Sequence, residues 1–199
     1  RSIRIVGEGN VLISGMTELS PTDFYTPDDA VSARFKEDAR EHIVAIDLKA
    51  HGVDTAAFAA IEPINRVPYI NGEQLILARY PDADARYMKI RSAESDEDGN
   101  WTFGLSKKVA KELATWASMD GVQFFGYPNY YWAPTLSDIA SFDAESMTVV
   151  TDIRTSFSSG AKEGGEICFI NAPEALTKPG EYYWSDDGIL YIYKTEDFD

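Results

Sequence analysis

The chain has 199 residues, 44 % of them hydrophobic and 13 % aromatic, which suits one substantial domain or two small ones with a packed core. Its formal net charge of −15 argues against nucleic acid or an anionic membrane as a partner, because both repel an acidic surface. No stretch approaches the roughly 18 consecutive apolar residues of a membrane helix, so the sequence predicts a soluble piece whose spread-out acidic residues form a solvated surface.

In chain order, residues 3–6 and 11–13 are short β-branched runs around the turn composition Gly7-Glu8-Gly9-Asn10. Residues 19–38 are polar and contain prolines, which predicts a surface excursion. Strand character returns at 42–48. Residues 52–61 suit a short helix with Asp54 as N-cap. Residues 67–70 and 73–79 flank Asn71-Gly72, the best dipeptide for the two positive φ angles of a type I′ hairpin, and Tyr80-Pro81-Asp82 ends the second strand. Asp98-Gly99-Asn100 predicts a turn into Trp101-Thr102-Phe103.

One helix is expected over 106–118, with Ser106 as N-cap. Val109, Ala110, Leu113, Trp116 and Ala117 recur at helical spacing, while Lys107, Lys108, Lys111 and Glu112 face solvent. Gly121 breaks it. Strands follow at 122–125, 146–150, 165–170, 181–184 and 189–193, the last two joined by Ser185-Asp186-Asp187-Gly188. In that hairpin Tyr182, Tyr183, Trp184, Tyr191 and Tyr193 alternate, which predicts one face packed inward and the other facing solvent or a neighbouring domain. The edges at 3–6 and 189–193 are candidates for pairing with a second copy. The fold class is mainly β, barrel- or sandwich-like, with one clear α-helix. No internal period of about 20–50 residues is present, so this chain is not by itself a complete solenoid or propeller.

Four segments in order resemble bacterial right-handed parallel β-helix proteins related to glycoside hydrolases, interrupted early by a β-barrel-like insertion. Ile3-Arg4-Ile5-Val6-Gly7 with Val11-Leu12-Ile13-Ser14-Gly15 resembles an opening rung. Tyr69-Ile70-Asn71-Gly72-Glu73 followed by Leu77-Ala78-Arg79-Tyr80-Pro81 resembles the family's hairpin, with Asp82 in place of the usual asparagine. Ala114-Thr115-Trp116-Ala117, then Val122 to Tyr127 and Tyr131-Trp132-Ala133, resembles the second half of the insertion. Ala175 to Trp184 with Gly188 to Tyr193 resembles its closing stretch, and is the most specific of the four because Pro179-Gly180 fixes the turn before the hairpin.

The resemblance implies a rung at 1–15 and a β-rich accessory domain at 16–199 ending in the hairpin 181–193, with segment 16–62 matching least well. It further implies a non-catalytic domain of a larger secreted, periplasmic or cell-surface enzyme, bracing the β-helix and lining its glycan cleft. Its partners would be a glycan or polysaccharide and the remaining β-helix domain. Two alternatives stand beside this, an autonomous carbohydrate-binding module and a polysaccharide hydrolase or lyase.

The acidic run from Asp96 to Asn100 invites a calcium-loop reading. Counted from Asp96, however, position six is Trp101 and position twelve Lys107, where an EF-hand needs glycine and glutamate, so a solvated turn is expected. With 33 acidic residues, carboxylate pairs at glycosidase spacing arise by chance, and no catalytic residue is assigned. Asp186 and Asp187 read as turn residues, and Asp138, Asp143 and Asp152 as loop or strand-end positions. No P-loop, dinucleotide-binding glycine signature, zinc-spaced Cys/His set or Gly-x-Ser-x-Gly elbow is present, so neither a cofactor nor a metal is expected. The single cysteine, Cys168, reads as a buried strand residue and cannot form an internal disulfide, which leaves the compartment undecided. The candidate sugar-binding residues are Tyr130, Tyr131 and Trp132, within an aromatic cluster beginning at Tyr127. The competing expectation is core packing, with Trp132 buried.

Overall fold

A computed structural model describes residues 8–9, 16–152, 160–196 and 198. The two opening strands and the rung expected at 1–15 fall almost wholly outside those residues. The strands β1 (Ile43–Asp47), β2 (Tyr69–Ile70), β3 (Glu73–Gln74), β4 (Ile76–Leu77), β5 (Arg79–Tyr80), β6 (Met88–Lys89) and β7 (Ser92–Ser95) come first. They are followed by β8 (Trp101–Gly104), β9 (Gln123–Tyr127), β10 (Thr135–Asp143), β11 (Thr148–Asp152), β12 (Glu166–Ile170), β13 (Glu181–Trp184) and β14 (Ile189–Tyr193). The α-helices are short: α1 (Asp29–Ser32), α2 (Thr55–Ala59) and α3 (Lys107–Leu113). The protein is mainly β, as its sequence leads one to expect.

Two sheets organise the chain. One has four strands in the order β1-β14-β13-β4, with β13 and β4 parallel and the other neighbours antiparallel. The other runs β5-β12-β9-β10-β11-β8-β7, with β6 also paired to β12. The chain passes from one sheet to the other at Ala78, a buried residue whose N–H donates to the Tyr182 carbonyl at 2.8 Å. Phe35, Ala45 and Tyr191 on the smaller sheet's side pack into one core with Phe103, Phe124, Val149, Ile167 and Phe169 of the larger sheet. Val109 and Leu113 of α3 join the same core. A second cluster, including Ile46, Tyr182, Trp184, Leu190 and Ile192, covers the opposite face of the smaller sheet.

This double cover corrects two expectations. The β13–β14 hairpin is clothed on both faces rather than one, because Tyr182 and Trp184 enter the second cluster while Tyr183 and Tyr191 pack with the first. Nor is β14 an edge, since β1 pairs with it along its whole length. Residues 19–38 are likewise more than a surface excursion, because Phe35 is buried in the main core against Tyr191, with ring centroids 5.6 Å apart.

Local signals placed the helix starts correctly. Asp54 accepts hydrogen bonds from the N–H groups of Ala56 and Ala57 at 3.1 and 3.0 Å, and Ser106 Oγ accepts from Val109 N–H at 3.3 Å. However, α3 stops at Leu113, five residues short of the predicted end at 118. Past Leu113 the ladder tightens, with Thr115 N–H on the Glu112 carbonyl at 2.9 Å and Trp116 N–H on that of Leu113 at 3.1 Å, and the Ala117 N–H then turns to Glu174 Oε1 at 3.1 Å. Trp116 still packs into the core, whereas Ala117 is exposed.

Glu174 also takes both prongs of a guanidinium, Arg34 Nε on Oε1 at 3.0 Å and Arg34 Nη2 on Oε2 at 3.1 Å. One buried carboxylate therefore ties the segment after α1 to the segment after α3. A glutamine here keeps the volume but loses the charge and sets an NH2 group against a donor. Glu174→Gln is expected to lower unfolding free energy by about 1–3 kcal/mol. Urea denaturation checks this, and an unchanged midpoint would show the latch to be energetically idle.

Candidate functional site

The outer face of the larger sheet carries the exposed chemistry. Along β9 the side chains alternate, with Phe124 buried in the core and Gln123, Phe125 and Tyr127 on the opposite, half-buried face. Cross-strand pairing places Cys168 beside Phe125 and Glu166 beside Tyr127 on that face. Leu136 and Asp138 of β10 pair with Phe125 and Gln123.

Beyond Tyr127 the chain leaves the sheet in a loop. The Ala133 N–H donates to the Tyr130 carbonyl at 2.9 Å, and buried Ala133 anchors the return. This tight turn throws the three intervening aromatics outward: Tyr130 is 45 % exposed, Tyr131 71 % and Trp132 72 %. The expectation of a buried Trp132 is therefore overturned, because the loop turns back just beyond the end of β9 and carries the side chain outward. The rings are not loose. Tyr130 and Trp132 stack at 5.3 Å with planes 15° apart, and Tyr131 lies 6.0 Å from Tyr127. Tyr127 in turn neighbours Phe125 at 6.5 Å and Tyr87 at 6.1 Å. Lys162 Nζ sits 5.4 Å from the Tyr130 ring centre, within cation–π range. The three candidate residues thus stand together, as the tip of an aromatic strip that continues onto the sheet.

Beneath the strip, Arg79 lies 4.6 Å over the Tyr87 ring, and its Nη2 donates to the carbonyls of Asp82, Ala83 and Ala85. Burial pushes the Cys168 thiol up to about 11, against the opposing pull of the Arg79 guanidinium. A fully buried thiol held protonated is no nucleophile, which agrees with its reading as a strand residue.

A polar cleft of about 520 Å³ opens at the other end of the same face. Glu62, Arg66, Gln123, Asp138, Asn171 and Asp186 line it together with apolar residues. Asp138 reaches it from within β10 rather than from a loop or strand end, a strand the sequence did not predict. Asp96 takes Asn100 N–H at 2.8 Å on one oxygen and Asn100 Nδ2 at 2.9 Å on the other, which holds its carboxyl below the usual range in a solvated turn. Among the described residues no group of three His, Cys, Asp or Glu is placed to hold a metal, and no helix is long and apolar enough to cross a membrane.

No protein-family model matches the chain, and no curated protein matches it. A solved structure titled "Glycoside hydrolase" is similar at a TM-score of 0.49 and 16 % identity, over 78 % of this chain and 27 % of that one. The chain thus spans about a quarter of that protein's length. A likeness at this level leaves substrate and chemistry to be argued from the residues themselves.

Proposed function

We propose that this chain is an accessory domain of a larger carbohydrate-active protein acting outside the cytoplasm, and that it contributes a glycan-binding surface built on Tyr130, Tyr131 and Trp132. One observation carries the reading: three large aromatics, 45 to 72 % exposed, stand on a short anchored loop, Tyr130 and Trp132 stacked on each other and Tyr131 set against Tyr127. Exposed aromatic area is costly in water unless a partner covers it. A preordered flat ring suits the apolar face of a pyranose, because little conformational freedom remains to be lost on binding. The sequence resemblance to insertions in β-helix glycoside-hydrolase-like proteins supports the accessory role, with a β-helix domain as the neighbouring part. In that arrangement the domain holds the glycan and the chemistry lies elsewhere.

Glycan-array screening followed by titration calorimetry tests this. Trp132→Ala is expected to weaken binding at least ten-fold. The same change should cost less than about 1 kcal/mol of stability, because the side chain is mostly solvated. Micromolar binding that survives the substitution, or no binding to any glycan, would refute the assignment.

A further inference from the structure

Resting on the glycan reading above, we infer that the cleft at Asp138 and Asp186 is a second subsite on the same glycan path, built for a carboxylate-free sugar residue and favouring one that carries an amine. The path follows from strand register. Gln123 and Asp138 at the cleft, Phe125 and Leu136 in the middle, and Tyr127 under Tyr131 all share the outer face of adjacent strands. Four residue steps along β9 lead from Gln123 at the cleft end to Tyr127, about 13 Å at the rise of an extended strand. A ligand stacked on the aromatic tip therefore runs toward the cleft if it follows the strand.

The chemical preference follows from an inventory of donors and acceptors in the walls. Arg66 turns inward, with Nε donating to the Ile61 carbonyl at 2.6 Å and Nη2 to the Ala59 carbonyl at 2.8 Å. Asn171 Nδ2 donates to the Gly121 carbonyl at 2.8 Å. Gln123 Nε2 donates to Asp138 Oδ1 at 2.7 Å, which fixes the orientation of that amide. Arg66 is the one cation among the described lining residues and lies within electrostatic reach of Asp186, set against the three carboxylates Glu62, Asp138 and Asp186. The second oxygen of Asp138 and both oxygens of Asp186 accept no hydrogen bond from the described residues and remain available to a ligand. Three carboxylates against one guanidinium leave the lining net negative, so it favours hydroxyl and ammonium donors over a carboxylate.

The test compares three matched tetrasaccharides on the intact chain by calorimetry: a β-linked glucosamine oligomer, its N-acetylated form and a galacturonate oligomer. The expected order is amine tightest, N-acetyl next and uronate at least ten-fold weaker than amine. Asp138→Asn with Asp186→Asn should collapse that order to within about two-fold. Glu94→Gln with Glu97→Gln removes the same charge at β7 and the turn beyond it, at the far edge of the sheet, and should leave the order intact. Equal or tighter uronate binding overturns the subsite, as does an equal response to both charge changes. Failure of all three oligomers to bind would remove the glycan reading itself, whereas equal binding of all three removes only the subsite.

Discussion

Raising the pH from about 4.5 to above 7 is expected to strip about 3 kcal/mol of stability from the wild-type chain, relative to a Glu181→Gln variant. Glu181 opens β13 and is only 2 % exposed. Burial raises its carboxyl from 4.5 to about 7, and the negative charge of Asp82 adds to the rise. The N–H groups of Thr177 and Lys178, donating to Oε2 at 2.9 and 3.0 Å, oppose burial without cancelling it. Below 4.5 the group is protonated in both states, and its contribution is fully present. Between 4.5 and 7 the unfolded chain releases the proton while the folded chain keeps it, so stability falls by up to about 1.4 kcal/mol per pH unit. Above 7 both states are ionised and the contribution is gone.

Glutamine keeps an acceptor for the two N–H groups and cannot ionise. The difference between the two proteins therefore isolates this residue from the surface carboxylates Asp84, Asp96 and Asp143, whose lowered values favour the folded state at neutral pH and lose that contribution only on acidification below the ordinary carboxylate range. Denaturant midpoints at pH 4.5, 6 and 8 measure it. Parallel profiles for the two proteins would mean that Glu181 is ionised throughout, stabilised by its two N–H donors.

The sequence announced those features whose cause is local. Asn71 and Gly72 take φ of 50° and 85°, as a type I′ turn needs, and the cap residues Asp54 and Ser106 start their helices. What depends on distant partners was not legible. The apolar run after Gly72 reads as one strand of a hairpin, yet Glu73–Gln74 pairs with β2, Ile76–Leu77 with β13 and Arg79–Tyr80 with β12. Alternation within the run cannot specify three partners. Strand β10 was missed because serine and alanine dilute its pattern, with Ser137 occupying a buried inward position. The candidate residues Tyr130, Tyr131 and Trp132 were picked out by composition, whereas their exposure depends on where the loop turns back. Glu174 gave no sign at all, since its partner Arg34 lies 140 residues away.

Gly126→Ala should be the most damaging single-methyl change beneath the aromatic loop, costing at least about 3 kcal/mol. Two penalties coincide at this position. Its φ of 151° is a backbone conformation that side-chain-bearing residues rarely adopt. A Cβ would also strike the Glu166 carbonyl oxygen and stand 2.7 Å from Ile167 Cα, both backbone atoms of β12 that cannot rotate away. Glycine here lets β9 and β12 approach directly below the aromatic loop, and Gly165 does the same from the other strand, where a Cβ would lie 2.9 Å from Pro128 Cα. The pair sets the height of the loop over the sheet.

Gly164 supplies the internal standard. Its φ of 81° is equally glycine-like, but a Cβ there meets nothing within 4 Å. Gly164→Ala should therefore cost only the conformational term, about 1 kcal/mol. For a domain of this size the expected losses in Tm are roughly 6–12 °C for Gly126→Ala and 2–4 °C for Gly164→Ala. Calorimetric melting of both variants decides the matter. Equal shifts would mean that the strands part freely at this crossing, and the loop bearing Tyr130, Tyr131 and Trp132 would then lack the rigid footing that its stacking geometry requires.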